Sequence, residues 1–143
     1  MADITGTSGD DVIQGTTLQD LIRGGDGNDT IRALDGNDTI YGDGGMDEIH
    51  GGAGLDRIFG SDDDDIIYGN DDGARVDGND GNDLIYGGRG FDLLDGNVGN
   101  DTIFGGEDND NVSGFSGDDL LFGGKGGDKL FGFTVIDTVH GNS

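Results

Sequence analysis

The sequence has no cysteine, no proline and no tryptophan, and it carries only 7 basic residues against 31 acidic ones. Without cysteine, no disulfide framework can stabilise the chain. The net charge of −24 repels nucleic acid and anionic membrane surfaces, so the composition favours a cation as partner. No stretch approaches the roughly 18 apolar residues of a membrane span, and the start MADITGTSGDD lacks the basic and apolar regions of a Sec-type signal peptide.

Apolar residues are also scarce, since they make up 31% of the 143 residues while 33 residues are glycine. Such a composition lies near that of disordered chains, because little apolar surface is available to offset the entropy lost on ordering. The acidic residues are evenly spaced rather than gathered in one tail. The spacing therefore indicates an ordered repeat rather than a solvated acidic extension.

A nine-residue repeat runs in one unbroken phase from Gly6 to His140 and gives fifteen copies, of which GGDGNDTIR (24–32) is representative. Position one is glycine in every copy but that of Ala33, and position eight is Ile, Leu or Val in all of them. Position six is aspartate in every copy but that of Ala74. Position four is usually glycine, and the departures are Leu18, Asp63, Asp72, Asp108 and Val135. A fixed period of this kind indicates a solenoid.

Positions seven to nine, such as TIR, EIH and LIY, are rich in β-branched and aromatic residues and predict three-residue strands. Their middle side chain points to one face of the sheet, so each repeat contributes one buried aliphatic residue. The six glycine-rich residues before each strand predict turns. Two repeats make one 18-residue coil, and the sequence predicts an all-β parallel β-roll, a β-solenoid with two parallel sheets back to back, about seven and a half coils long.

The position-six aspartates are the candidate metal ligands. In a roll of 18-residue coils they stack into two ladders at about one strand spacing, ~5 Å, where unscreened carboxylates repel one another. Two aspartates together with turn carbonyls supply the six to eight oxygens that Ca²⁺ prefers, whereas Mg²⁺ retains water in a tight octahedron. The predicted ligands are Asp11, Asp20, Asp29, Asp38, Asp47, Asp56, Asp65, Asp83, Asp92, Asp101, Asp110, Asp119, Asp128 and Asp137.

The pattern GGxGxDxUx, with U aliphatic, resembles the nonapeptide of the RTX (repeats-in-toxin, hemolysin-type calcium-binding) family over residues 6–140. The resemblance implies a β-roll with Ca²⁺ bound between successive coils on each edge. It also implies ligation by the position-six carboxylates and by main-chain carbonyls of positions one to four. The carbonyls carried over are those of Gly24, Asp26, Gly27, Gly42, Gly44, Gly45, Gly78, Asp80, Gly81, Gly96 and Gly99.

The two ladders differ in continuity. The aspartates of odd-numbered repeats offer seven gaps between coils, and those of even-numbered repeats offer four because Ala74 interrupts them, which predicts up to about eleven ions. The gaps most favoured by intact glycines are Asp11–Asp29, Asp29–Asp47, Asp38–Asp56, Asp83–Asp101 and Asp101–Asp119. Around residues 69–77 the even ladder is expected to lack metal and the roll to be locally loose.

Ligand binding should be coupled to folding, because the unfolded chain cannot assemble these sites. We therefore expect a disordered metal-free chain that folds on binding Ca²⁺. The family resemblance implies a secreted protein exported by type I secretion. The chain would stay unfolded in the calcium-poor cytosol until it is exported. Because the tail GNS is short, we expect the usual C-terminal export signal either to be absent or to lie within the repeats.

No catalytic constellation is evident, and the protein is predicted not to be an enzyme. The two histidines, His50 and His140, are five coils apart and cannot share a site. There is no cysteine nucleophile, and calcium would occupy the paired carboxylates that could otherwise act as acid and base.

Aromatic residues recur at position nine, and Tyr68, Tyr86, Phe104 and Phe122 should form one outward stripe because they are 18 residues apart. The simpler interpretation is cross-strand stacking that stabilises the sheet. The alternatives are self-association, or a polysaccharide- or surface-binding module similar to the alginate-binding modules of secreted epimerases. The seven basic residues are scattered and form no evident groove for a polyuronate.

The chain is predicted to be a single domain, 1–143, whose terminal coils need caps. Ile4 of the segment MADIT is expected to cover the first coil. The last repeat lacks the fourth glycine and has gained Phe133, Val135 and Ile136, so residues 132–143 are expected to form an apolar C-terminal cap.

Overall fold

The computed structural model describes residues 1–133 and 136–141, which form sixteen β-strands. None of the described residues forms a helix long and apolar enough to cross a membrane. The strands are β1 Asp3–Thr5, β2 Val12–Gln14, β3 Leu21–Asp26, β4 Thr30–Arg32, β5 Thr39–Gly44, β6 Glu48–Ala53, β7 Arg57–Asp62, β8 Ile66–Asp71, β9 Arg75–Asp80, β10 Leu84–Arg89, β11 Leu93–Val98, β12 Thr102–Glu107, β13 Asn111–Ser116, β14 Leu120–Lys125, β15 Lys129–Phe133 and β16 Thr138–His140.

Odd-numbered strands form one eight-stranded parallel sheet, and even-numbered strands form the other. Every pairing joins residues 18 apart, as Ile85 of β10 pairs with Ile67 of β8 and with Ile103 of β12. The predicted parallel β-roll with 18-residue coils and two sheets is therefore confirmed. The roll has about eight coils, slightly more than predicted, because β1 pairs with β3 and adds residues 3–5 to the first sheet.

Most strands are longer than predicted. Most interior strands comprise six residues, because the ladder continues past positions seven to nine into positions one to three of the next repeat, as in LIRGGD of β3, whereas β4 has three residues. The prediction that all six glycine-rich residues form turns was wrong, since in most repeats only positions four to six turn the chain. Glycine weakens an isolated strand, but here the neighbouring coils supply the hydrogen bonds on both sides.

The core is a double file of position-eight side chains, as the sequence predicted. One sheet contributes Ile22, Ile40, Ile58, Val76, Leu94 and Val112, and the other contributes Ile13, Ile31, Ile49, Ile67, Ile85, Ile103 and Leu121. These side chains are buried because they point between the sheets. In the last coil Leu130 is only partly buried and Val139 is exposed, since that coil packs against one neighbour alone.

The first strand covers the start of the core, and Ile4 is partly buried against it, as expected. At the other end Phe133 and Ile136 are exposed, at 64% and 78% of their surface. Val135 lies outside the described residues. The assignment of residues 132–143 as an apolar cap remains a prediction.

Adjacent isoleucines in β8 provide a matched test of the core. Ile67 is fully buried between the sheets, whereas its neighbour Ile66 points outward and is 38% exposed. Because truncation of a buried aliphatic side chain leaves a cavity, Ile67→Ala should lower the free energy of unfolding by about 2–5 kcal/mol. Ile66→Ala should have a much smaller effect. Chemical denaturation of both variants in saturating Ca²⁺ measures the difference, and equal losses would contradict this description of the core.

Candidate metal centre

The position-six aspartates lie where the chain enters each strand, and most of them are buried although they are charged residues. Those with at most 2% of their surface exposed are Asp20, Asp29, Asp38, Asp47, Asp56, Asp65, Asp83, Asp92, Asp101, Asp110 and Asp119. Of the other predicted ligands, Asp11 and Asp128 are also half-buried at the same position of their coils, and so is Asp137 in the last coil. Burial of so many carboxylates requires a compensating interaction for each.

One carboxylate oxygen of each aspartate, Oδ1, is used in a ladder between coils. The backbone N–H of Asp29 donates to Oδ1 of Asp47 at 2.8 Å, and that of Asp47 donates to Oδ1 of Asp65 at 2.8 Å. The same bond recurs from Asp11 to Asp137 on the odd edge, which is the edge formed by the turns of odd-numbered repeats. On the even edge, formed by the other turns, it runs from Asp20 to Asp56 and from Ala74 to Asp128.

The second oxygen, Oδ2, is buried and has no hydrogen-bond partner in eleven of these residues. They are Asp29, Asp38, Asp47, Asp56, Asp65, Asp83, Asp92, Asp101, Asp110, Asp119 and Asp128. An unpaired buried carboxylate oxygen is costly, because its lone pairs have lost water without gaining a donor. The turns therefore present a regular series of unsatisfied anionic oxygens.

Glycine at position one makes room for this oxygen. A Cβ on Gly24 would lie 2.5 Å from Oδ2 of Asp29, and it would also collide with the carbonyl oxygen of Gly42 in the next coil. Gly78 is flanked in the same way by Oδ2 of Asp83 and the carbonyl of Gly96. Carboxylate and carbonyl oxygens from successive coils thus converge on the position-one glycine.

The predicted carbonyl ligands occupy three places along the chain. Gly24, Gly42, Gly78 and Gly96 are buried within strands, Asp26, Gly44 and Asp80 end strands, and Gly27, Gly45, Gly81 and Gly99 begin the turns. The carbonyl of Gly44 already accepts the N–H of Gly27 at 2.8 Å. Within the described residues no three His, Cys, Asp or Glu side chains converge on a common point. A cation held here must take main-chain oxygens as well as carboxylates, which suits a hard ion such as Ca²⁺.

Burial and mutual repulsion make these carboxyl groups weak acids in the absence of a cation. Desolvation, followed by the charges of Asp47, Asp83 and Asp63, raises the pKa of Asp65 to about 8. Desolvation is likewise the main cause that raises the pKa to about 7 for Asp47, Asp92 and Asp101, and to about 6 for Asp56, Asp83 and Asp110. The folded chain therefore disfavours the charged state unless positive charge is supplied.

The even edge is interrupted where predicted. Ala74 is buried and its N–H donates to Oδ1 of Asp92 at 2.7 Å, but it has no carboxylate to accept the N–H of Asp56. Strand β9, which follows Ala74, still pairs with β7 and β11 in full register. The ladder of carboxylates is broken at Ala74 while the ladder of strands continues.

The first coil differs from the others. Oδ2 of Asp11 accepts the N–H of Thr7 at 2.6 Å and its hydroxyl at 2.9 Å. Oδ2 of Asp20 accepts the N–H of Thr16 at 2.7 Å and its hydroxyl at 2.8 Å. The N–H of Ala2, and after it the Thr16 hydroxyl and N–H, lower the pKa of Asp20 below its ordinary value. These two aspartates are satisfied by the protein itself.

A second ladder, at position five, escaped the sequence analysis. The side-chain oxygen of Asn28 accepts the N–H of Met46 at 3.0 Å, and that of Asn100 accepts the N–H of Asp118 at 2.8 Å. These bonds point along the roll in the direction opposite to the Oδ1 ladder. The signal was available, because Asn or Asp occupies position five in Asp10, Asn28, Asn37, Asp64, Asn82, Asn100, Asn109 and Asp118.

The aromatic stripe lies on the outer face of the even-numbered strands, as predicted, and it is longer than expected. Tyr68, Tyr86, Phe104 and Phe122 stack with ring centroids 4.7 to 5.1 Å apart. His50 stacks on Tyr68 at 4.6 Å and His140 on Phe122 at 4.8 Å, so the histidines stand at opposite ends of the stripe. Because the faces of the central rings cover one another, mainly their edges meet the solvent.

Comparison with protein families gives a match along nearly the whole chain. The family model for the RTX calcium-binding nonapeptide repeat, which spans four copies, matches residues 5–40, 14–47, 41–73, 77–112 and 113–134. No curated protein matches the chain.

The raised pKa values predict how the metal-free fold responds to pH. A carboxyl group whose pKa is higher in the folded than in the unfolded chain stabilises the fold below its unfolded pKa of about 4, and this contribution is lost as pH rises through the folded value. In calcium-free buffer, β-structure should therefore increase between pH 8 and pH 5.5, as measured by far-UV circular dichroism. The calcium-saturated protein is the control and should show no such gain, because protons compete with the cation. A metal-free spectrum that does not change with pH would contradict the prediction.

Proposed function

The chain belongs to the family of RTX calcium-binding nonapeptide repeats, and we propose that it is a non-catalytic module that folds when Ca²⁺ binds between its coils. The ligands would be Oδ2 atoms of the position-six aspartates on both edges, together with main-chain carbonyls of the glycine-rich segments. Calcium supplies the positive charge that these groups require. The repeats of this family are structural calcium-binding units.

One observation carries the proposal, namely the series of eleven buried Oδ2 atoms without partners. Each of these aspartates already uses Oδ1 to accept a backbone N–H, as Asp65 does from Asp47. A structural role in the turns would therefore be fulfilled by one oxygen alone. The free second oxygen, next to a carbonyl from the adjacent coil, supports a ligand role.

The same geometry supports coupling between binding and folding. The oxygens of one site come from successive coils, as Oδ2 of Asp29 and the carbonyl of Gly42 do, and the stacking of coils brings them together. Without the ion, closely spaced carboxylates repel one another in a domain whose core is only two side chains thick. Binding free energy therefore becomes folding free energy.

We also propose that the protein acts outside the cell, where Ca²⁺ is abundant, after type I secretion in an unfolded state. The low affinity of an unfolded chain for Ca²⁺ would keep it unfolded in the cytosol. The alternative of a polysaccharide-binding module receives less support from the stripe, because sugars stack on ring faces and these faces are occupied by the neighbouring rings.

A calcium titration of the metal-stripped chain tests the proposal directly. Far-UV circular dichroism should show a cooperative transition from coil to β-structure with Ca²⁺, and an equal concentration of Mg²⁺ should not produce it. A spectrum that is β-rich at neutral pH without Ca²⁺, or that does not respond to it, would refute the coupling of binding to folding.

Ala74 allows a gain-of-function test. Ala74→Asp restores the missing rung, so it should join Asp56 to Asp92 and raise the number of bound Ca²⁺ ions, as counted by native mass spectrometry. Ala74→Asn is the matched control, since an amide oxygen can accept the N–H of Asp56 without adding charge. An unchanged ion count for Ala74→Asp would argue against the position-six carboxylates as ligands.

A further inference from the structure

The turns of the first coil, residues 6–23, have a backbone conformation different from that of the later coils. In every repeat from Gly24 onward the residue at position two has a left-handed φ, between 71° and 124°. These residues are Gly25, Leu34, Asp43, Gly52, Ser61, Asn70, Asn79, Gly88, Asn97, Gly106, Phe115, Gly124 and Phe133. Thr7 and Thr16, which occupy position two in the first coil, do not have a left-handed φ.

Position four shows the same division. Left-handed φ values occur there in the described later repeats, including those with aspartate in place of glycine, Asp63, Asp72 and Asp108. Gly9 and Leu18 in the first coil do not share this conformation. The absence of left-handed φ at Leu18 suits a bulky side chain, which rarely adopts that conformation.

Threonine at position two has a physical reason to select the first-coil turn. A β-branched side chain disfavours left-handed φ more strongly than glycine, asparagine or aspartate does. With φ negative, the N–H of Thr7 donates to Oδ2 of its own repeat's Asp11, and the hydroxyl donates to the same atom. Thr16 repeats both bonds to Asp20.

The consequence concerns Oδ2, which is buried and unpaired in the position-six aspartates from Asp29 to Asp128. Oδ2 is unpaired and buried in Asp29 and Asp38, the next rungs of the two ladders, but in Asp11 and Asp20 it already has two donors. Oδ1 of Asp20 is also occupied, because the N–H of Ala2 donates to it at 2.7 Å.

We propose that Thr7 and Thr16 close the turns of the first coil without metal, so that Asp11 and Asp20 act as hydrogen-bond acceptors and not as Ca²⁺ ligands. The threonine hydroxyl and N–H take the place of the cation, and the first coil is a metal-independent cap on the calcium-binding coils. This inference rests on the proposed calcium sites of the later coils. It removes the gaps Asp11–Asp29 and Asp20–Asp38 from the predicted set of sites.

Ion counting on paired variants of the full chain tests the inference. By native mass spectrometry in saturating Ca²⁺, D11N/D20N should bind as many ions as the wild type, whereas D29N/D38N should bind fewer. T7G/T16G should bind more ions than the wild type, because it removes the hydroxyl donors and permits left-handed φ at position two, the conformation in which the later coils leave Oδ2 unpaired. S8G/T17G adds the same number of glycines at position three and should leave the count unchanged.

Two results would overturn the inference while leaving the proposed function intact. They are a loss of ions in D11N/D20N equal to that in D29N/D38N, and an ion count in T7G/T16G equal to that of the wild type. If a variant fails to fold, crystals of the wild-type chain soaked in Tb³⁺ provide the test. An anomalous peak beside Asp11 or Asp20 would refute the inference. Peaks confined to the later coils would support it. Failure of the proposed function would be distinct, because no variant, nor the wild type, would then bind ions.

Discussion

The structure depends on how a chain with so few apolar residues neutralises the carboxylates that it buries at its edges. From Asp29 to Asp128 each position-six aspartate lies at the start of a strand, where one oxygen accepts a backbone N–H from the adjacent coil and the other faces no donor. The first oxygen helps to hold the coils in register. The second lies buried among neighbouring charges, and the proposed Ca²⁺ binding would neutralise it. Under that proposal, stability and cation binding reside in the same residues.

Other contacts hold the coils together without metal, and they act on different parts of the coil. The position-five side chains join turns, the stacked rings from His50 to His140 join the outer faces of the even-numbered strands, and Glu107 pairs with Arg89 and Lys125 across neighbouring strands. Exposed ion pairs and ring stacks contribute modestly, each of the order of 1 kcal/mol or less. They can specify register, but they do not remove the charge at the edges.

The sequence predicts those features that repeat with strict spacing. The coil length, the parallel pairing and the buried face were predicted from two positions of the repeat. These are the aspartate at position six and the aliphatic residue at position eight, which is buried from Ile13 to Leu121. What escaped prediction depends on backbone conformation or on contacts between coils. The continuation of β3 through Gly24 and Gly25 could not be inferred from composition, because isolated glycines favour turns. The different turn at Thr7 was missed, although threonine stands at position two only in the first two repeats; its bond to Asp11 depends on the direction of a single N–H.

The interruption at Ala74 affects one edge of the roll and leaves the other intact. On the odd edge the rungs Asp65 and Asp83 continue past this level, whereas on the even edge no carboxylate links Asp56 to Asp92. Under the proposed calcium binding, the odd edge would hold an ion at this level and the even edge would not. A force that bends the solenoid towards opening the even edge at Ala74 would then meet less resistance than the opposite bend.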